Sequence, residues 1–90
     1  MSYEFRWIEW NRAKLAQHNV APEEAESVVN RARQPYPMKV DDDKRLVWGQ
    51  TDSGRYLQVV YLIDIEDTIF VIQARPLTDR EKRRLARRRQ

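Results

Sequence analysis

Hydrophobic positions recur with two periods along the chain, and the change of period separates a helical first third from a strand-rich remainder. Tyr3, Phe5 and Trp7 alternate with Glu4 and Arg6, the pattern of a short, half-buried edge strand. Asn11 follows as an N-cap, with Trp10 and Leu15 at the two positions that pack as a hydrophobic staple, so a first helix is predicted from about Asn11 to His18. Asn19 suits the left-handed residue that closes a helix, and Pro22 the first turn of the next, with Glu23 and Glu24 at its positive end. In this second helix Ala25, Val28, Val29 and Ala32 form one apolar stripe, which requires a flat surface to pack on.

The flat surface comes from the second half. Pro35 and Pro37 end the helix, and Met38 and Val40 open a short strand before the turn "KVDDDKR". The runs "RLVWGQ" and "RYLQVVYLI" flank the turn formers of "TDSG", and a second hairpin joins Tyr56–Ile63 to Thr68–Arg75 across "DIED". Both parities of these strands are apolar, as expected of central strands covered on each face. On a regular pleat Phe70, Ile72 and Ala74 share one face, and Ile69, Val71, Gln73 and Arg75 the other. Thr78 and Glu81 stand at capping-box spacing, so the last helix is predicted to begin just after Leu77. The fold class is α+β: a small antiparallel sheet of three to four main strands plus a short N-terminal strand, two N-terminal helices packed on it, and a basic C-terminal helix. Residues 1–90 read as one domain.

Composition narrows the chemistry. The chain has no cysteine and one histidine, which removes disulfides, thiolate chemistry, Cys-type zinc sites and any multi-His metal site; neither a metal nor a cofactor is expected. "MSYEFRWIEW" lacks an apolar leader core, and the longest apolar run, Val59 to Ile63, is too short to span a bilayer, so a soluble, cytoplasmic protein with no membrane partner is expected. The net charge of +3 conceals an asymmetry: residues 75–90 hold eight Lys/Arg against two acids, while residues 1–74 hold nine against twelve. A positive field concentrated at one end favours nucleic acid or an acidic protein as partner.

Three groups of residues are candidates for that chemistry. Arg75 ends a strand beside a helix N-terminus, where backbone N–H groups and a rigid guanidinium could converge on one phosphate. The alternative is that Arg75 pairs with an acid across the sheet or with Asp79, and Asp79 and Glu81 oppose an anion at that helix end. His18, at a helix end, is the one side chain whose ordinary titration falls near neutrality, although the helix dipole alone also favours it there; Lys14 lies one turn earlier on the same face. On the last helix Arg80, Arg83, Arg84 and Arg87 form a stripe that could follow a phosphate backbone, beside a thin apolar stripe of Leu77 and Leu85 and ahead of the solvated tail "RRRQ". Tyr56, Tyr61 and Trp48 could stack on bases, but Trp48 is expected in the core.

The order of these strings resembles the BrnT family, toxins of type II toxin–antitoxin pairs with a RelE-like fold. The resemblance rests on "FRW" before the first helix, on Lys14 and His18 in "AKLAQHNV", on "APEEAESVV" as the second helix, and on "FVIQARPLTDREKRR", a strand ending in Ala-Arg before a Thr-initiated basic helix. Asn19 replaces the family's usual glycine, Gln73 its common serine, and the segment from Lys14 to His18 is about one helical turn shorter. The resemblance implies a metal-independent ribonuclease that cleaves RNA and is held inactive by a cognate antitoxin in a hetero-oligomer. His18, Arg75 and Lys14 would be its catalytic residues, and Arg80, Arg83, Arg84 and Arg87 its RNA-binding ones. A non-catalytic module that holds nucleic acid or an antitoxin with the basic helix is the alternative.

Overall fold

The computed structural model describes residues 3–88; Arg89 and Gln90, the end of the predicted tail, lie outside the described residues. Helices α1 (Glu9–Ala16) and α2 (Pro22–Asn30) precede strands β1 (Met38–Lys39), β2 (Lys44–Gln50), β3 (Tyr56–Ile63) and β4 (Ile69–Pro76), and α3 (Asp79–Arg88) follows them. The strands form one antiparallel meander in the order β1-β2-β3-β4. The α+β architecture is the one expected.

The start of α1 differs from expectation. Its N-cap is Ile8, and Asn11 lies inside the first turn, where Oδ1 accepts the Ile8 N–H at 2.8 Å and Nδ2 donates to the Arg6 carbonyl at 3.1 Å. Asn11 is fully buried, and both ends of its amide are used to fix how the chain turns into the helix. Trp10 is therefore a helical residue, 49% exposed, that stacks on Phe70 and does not staple to Leu15. The expected N-terminal strand reduces to one parallel bridge between Phe5 and Ile69.

Helix α2 carries Pro22 in its first turn, and the Glu24 carboxylate accepts the Ala21 N–H at 2.9 Å. Its buried stripe is Ala25, Val28 and Val29; Ala32 lies beyond the helix and packs against the core from there. Gly49 on β2 permits this packing, since a Cβ there would stand 3.2 Å from Val28 Cγ1.

A bulge in β4 overturns the regular pleat. Val60 pairs with Gln73 and Tyr61 with Val71, so Ile72 is the extra residue and the parity of β4 switches there. One sheet face carries Val47, Leu57, Val59, Tyr61, Ile69, Val71 and Ala74, buried in the core that Leu15 and the α2 stripe complete. Gln73 and Arg75 join Trp48, Gln58 and Phe70 on the opposite face. That second face is only partly covered, contrary to expectation: Leu46, Val60, Leu62, Phe70 and Ile72 stay half-buried, while α3 lies over the end that holds Trp48 and Tyr56. Leu77 and Leu85 are the buried anchors of α3.

Candidate functional site

The strand-to-helix corner forms as the sequence predicts, and its cation is already matched. Thr78 Oγ1 accepts the Glu81 N–H at 3.1 Å and Glu81 Oε1 accepts the Thr78 N–H at 2.8 Å, the reciprocal bonds of a capping box. The same carboxylate receives both terminal nitrogens of Arg75, each at 2.8 Å. Arg75 also donates to the Pro76 carbonyl at 3.1 Å and to Gln58 Oε1 at 3.2 Å, which leaves only its Nε–H uncommitted. The guanidinium, together with the Thr78 N–H, holds the Glu81 carboxyl down at about 2, and Glu81 in turn raises the Arg75 pKa. Neither partner expected for Arg75 in place of phosphate, an acid across the sheet or Asp79, is the one found; Glu81, in the first turn of the helix, serves as both cap and counter-ion.

His18 and Lys14 come together elsewhere, in a cleft of about 340 Å³ lined by Trp10, Lys14, Gln17, His18, Ile72 and Gln73. Helix α1 ends at Ala16, short of the expected His18, and the turn that follows brings His18 to the cleft that Lys14 lines. Asn19, at φ 56°, closes α1: its N–H donates to the Ala16 carbonyl at 3.1 Å and the Val20 N–H to the Leu15 carbonyl at 3.0 Å. His18 sits at the crest of this turn, exposed. Arg55, just after the β2–β3 turn, holds the crest from below, donating to the carbonyls of Asn19 at 2.6 Å and His18 at 3.2 Å while pairing with Glu24 at 3.1 Å. None of the ion pairs among the described residues includes Lys14 or His18.

Cleft and corner are separate but connected. Arg75 does not line the cleft; it reaches it through Gln58, whose Oε1 accepts from Arg75 and from Trp48 Nε1 (2.9 Å) and whose Nε2 donates to Gln73 Oε1 at 2.7 Å. The bulge at Ile72 makes this line possible, because it turns Gln73 to the Gln58 face.

The arginines of α3 divide by direction. Arg84 and Arg88 lie over the Trp48 ring at 5.9 and 5.2 Å, and Arg88 also donates to Tyr36 Oη at 2.8 Å. Trp48 is a core residue, as expected, and Tyr61 is buried too. Arg80, Arg83 and Arg87 are exposed, and none of them takes part in an ion pair among the described residues. Arg84 thus stands apart from the stripe in which its spacing places it.

Sequence reasoning does not find Gln58, Arg55 or the half-exposed Trp10 as parts of the site. An arginine directly after a tight turn is a weak hint for Arg55; a glutamine on an otherwise apolar strand is a better one for Gln58. Among the described residues no group of three or more His, Cys, Asp or Glu could hold a metal ion, and no helix is long and apolar enough to cross a membrane.

No family model matches the sequence, and no curated protein does. Among solved structures the chain is similar to the 1.1 Å crystal structure of the Brucella abortus ribonuclease toxin BrnT, with a TM-score of 0.68 and 15% identity over 87% of this chain and 100% of that one. That likeness shows the fold: three helices around a four-stranded antiparallel sheet, as in the toxin.

Proposed function

We propose that this chain is a ribonuclease toxin of the BrnT kind, cleaving RNA without a metal and restrained by an antitoxin bound in a hetero-oligomer. The observation that carries the reading is the meeting of His18 and Lys14 in one open cleft, free of acids among its lining residues, on the fold of a ribonuclease toxin. Such a cleft suits transphosphorylation. The His18 imidazole takes the proton of a ribose 2′-OH as that oxygen attacks phosphorus, and Lys14 stabilises charge on the non-bridging oxygens. The bond to the 5′-oxygen breaks, that oxygen takes a proton from water, and the products end in a 2′,3′-cyclic phosphate and a 5′-OH. Arg80, Arg83 and Arg87 follow the RNA backbone beyond the reacting phosphate, with Arg84 at the inner edge of that stripe. Arg75 joins a phosphate only by exchanging it for Glu81.

The test is end-labelled RNA incubated in EDTA with the purified chain and its His18→Ala, Lys14→Ala and Arg75→Ala variants. Cyclic phosphate ends are expected, with a loss of roughly 10²–10⁴-fold in rate for His18→Ala, the range that general bases supply. Folded protein that cuts none of several RNAs, or that cuts equally well without His18, refutes it.

The engagement of both terminal nitrogens of Arg75 by Glu81, Pro76 and Gln58 favours a second reading, a binding module without chemistry. In that case binding of nucleic acid or of an acidic antitoxin weakens steeply with salt, and His18→Ala leaves affinity unchanged.

A further inference from the structure

We infer that Trp10 is a stacking subsite for a nucleobase, placed beside His18 so that the RNA is gripped by one base next to the phosphate being cut. The inference rests on the reading of the cleft as an RNA site and adds how the strand is seated in it. Trp10 is 49% exposed at the rim of the cleft, while Trp48 is 7% exposed and Trp7 donates from Nε1 to Glu26 at 2.7 Å. The indole is also held in place. It stacks on Phe70 with ring centroids 6.0 Å apart and planes 13° from parallel, and Phe70 is in turn topped by the Arg6 guanidinium at 4.3 Å. Arg6 is fixed by Asp64, to which Nη2 donates at 2.6 Å.

A cation completes the arrangement. Lys14 Nζ lies 5.4 Å from the Trp10 ring centroid, and Lys14, His18 and Gln73 line the same cleft as the indole. An indole stacked on Phe70 and topped by an ammonium matches one nucleotide of single-stranded RNA, the base taking the ammonium's place over the ring and its phosphate then holding the displaced cation. Stacking accepts any base, because each has a π-face, so this subsite contributes grip and register with little sequence preference. The Gln73 side-chain amide, whose oxygen is engaged by Gln58, leaves its nitrogen as a donor toward the same space.

The experiment measures anisotropy of a labelled, fully 2′-O-methylated oligonucleotide, which cannot be cleaved, beside an abasic backbone of equal length. Trp10→Ala is expected to weaken the oligonucleotide roughly 5- to 100-fold and to leave the abasic chain unchanged, as base stacking requires. Trp10→Phe should retain most of the affinity yet lose the quenching of tryptophan fluorescence on binding, a readout that a merely structural role would not move. Circular dichroism confirms that each variant is folded. Loss of equal size on both backbones, or no loss at all, overturns the subsite and leaves the ribonuclease reading standing; failure of the wild-type chain to bind either polymer overturns both.

Discussion

Replacing Glu81 with glutamine removes one charge and one acceptor from the Arg75 corner, since an amide nitrogen takes the place of Oε2 against Arg75 Nη2, while the amide oxygen can still accept the Thr78 N–H and keep the capping box closed. The cost follows from the carboxyl's displacement from its ordinary 4.5 to about 2, caused first by the Arg75 side chain and next by the Thr78 backbone N–H. At about 1.4 kcal/mol per pH unit the ceiling is roughly 3 kcal/mol. The two side chains are 28% and 18% exposed, so water screens part of the attraction, and part of the displacement comes from the cap, which the variant keeps. About 1–2 kcal/mol is then the expected loss, equivalent to a fall in Tm of roughly 5–15 °C for a chain of this size.

The dependence on pH separates this cause from others. A carboxyl held below its unfolded pKa contributes fully above about 4.5, and that contribution drains away as pH falls toward 2. Urea melts of the two proteins should therefore differ most near neutrality and converge in acid. A gap of constant size from pH 7 to pH 2 would refute the electrostatic account and leave only altered packing. The same variant tests what Arg75 is for: if the guanidinium can serve a phosphate, Glu81→Gln should raise affinity for RNA even as it lowers stability.

Arg55→Ala should cost about 1 kcal/mol in urea melts, since it removes the charged partner of the partly buried Glu24 and leaves two exposed carbonyls to water, and should slow RNA cleavage by loosening the turn that carries His18. Leu85→Ala should cost about 2–5 kcal/mol by thermal melting, because Leu85 is 1% exposed and is one of two buried leucines that seat α3. Asn11→Ala should cost about 1–3 kcal/mol by the same measurement, leaving the Ile8 N–H and the Arg6 carbonyl without their partner.

What could be read from the sequence was local. The capping box of α3 involves residues three apart, and the left-handed closure at Asn19 depends on one residue type, so both are visible before any packing is known. Helical period suggests Lys14 and His18 as neighbours, but α1 ends at Ala16 and it is the closing turn that carries His18 to the same cleft. Asn11 shows the limit of such reasoning: an asparagine can serve a helix start as the N-cap or from inside the first turn, and only burial against the Arg6 carbonyl decides which. The bulge at Ile72 is beyond local reading, because it is a property of how β4 fits β3, and a one-residue slip moves every later side chain to the other face. A regular pleat therefore places Gln73 and Arg75 correctly relative to each other and wrongly relative to Phe70.

That bulge is also what joins the two halves of the candidate site. Arg75 touches neither His18 nor Lys14, and any influence on the cleft passes through Gln58 to Gln73, at 3.2 and 2.7 Å. A chain of this kind has a measurable signature. If the Arg75 corner acts only by holding Gln58, and Gln58 only by orienting Gln73, then Arg75→Ala and Gln73→Ala remove the same thing, and the double variant should cleave RNA no worse than the weaker single one. Independent action, with Arg75 binding its own phosphate, predicts instead that the two losses add to within about 0.5 kcal/mol. The cycle thus decides whether the arginine that closes β4 is a ligand of the substrate or a brace for the cleft, and the full set of bonds it makes to Glu81, Pro76 and Gln58 is the reason to expect the brace.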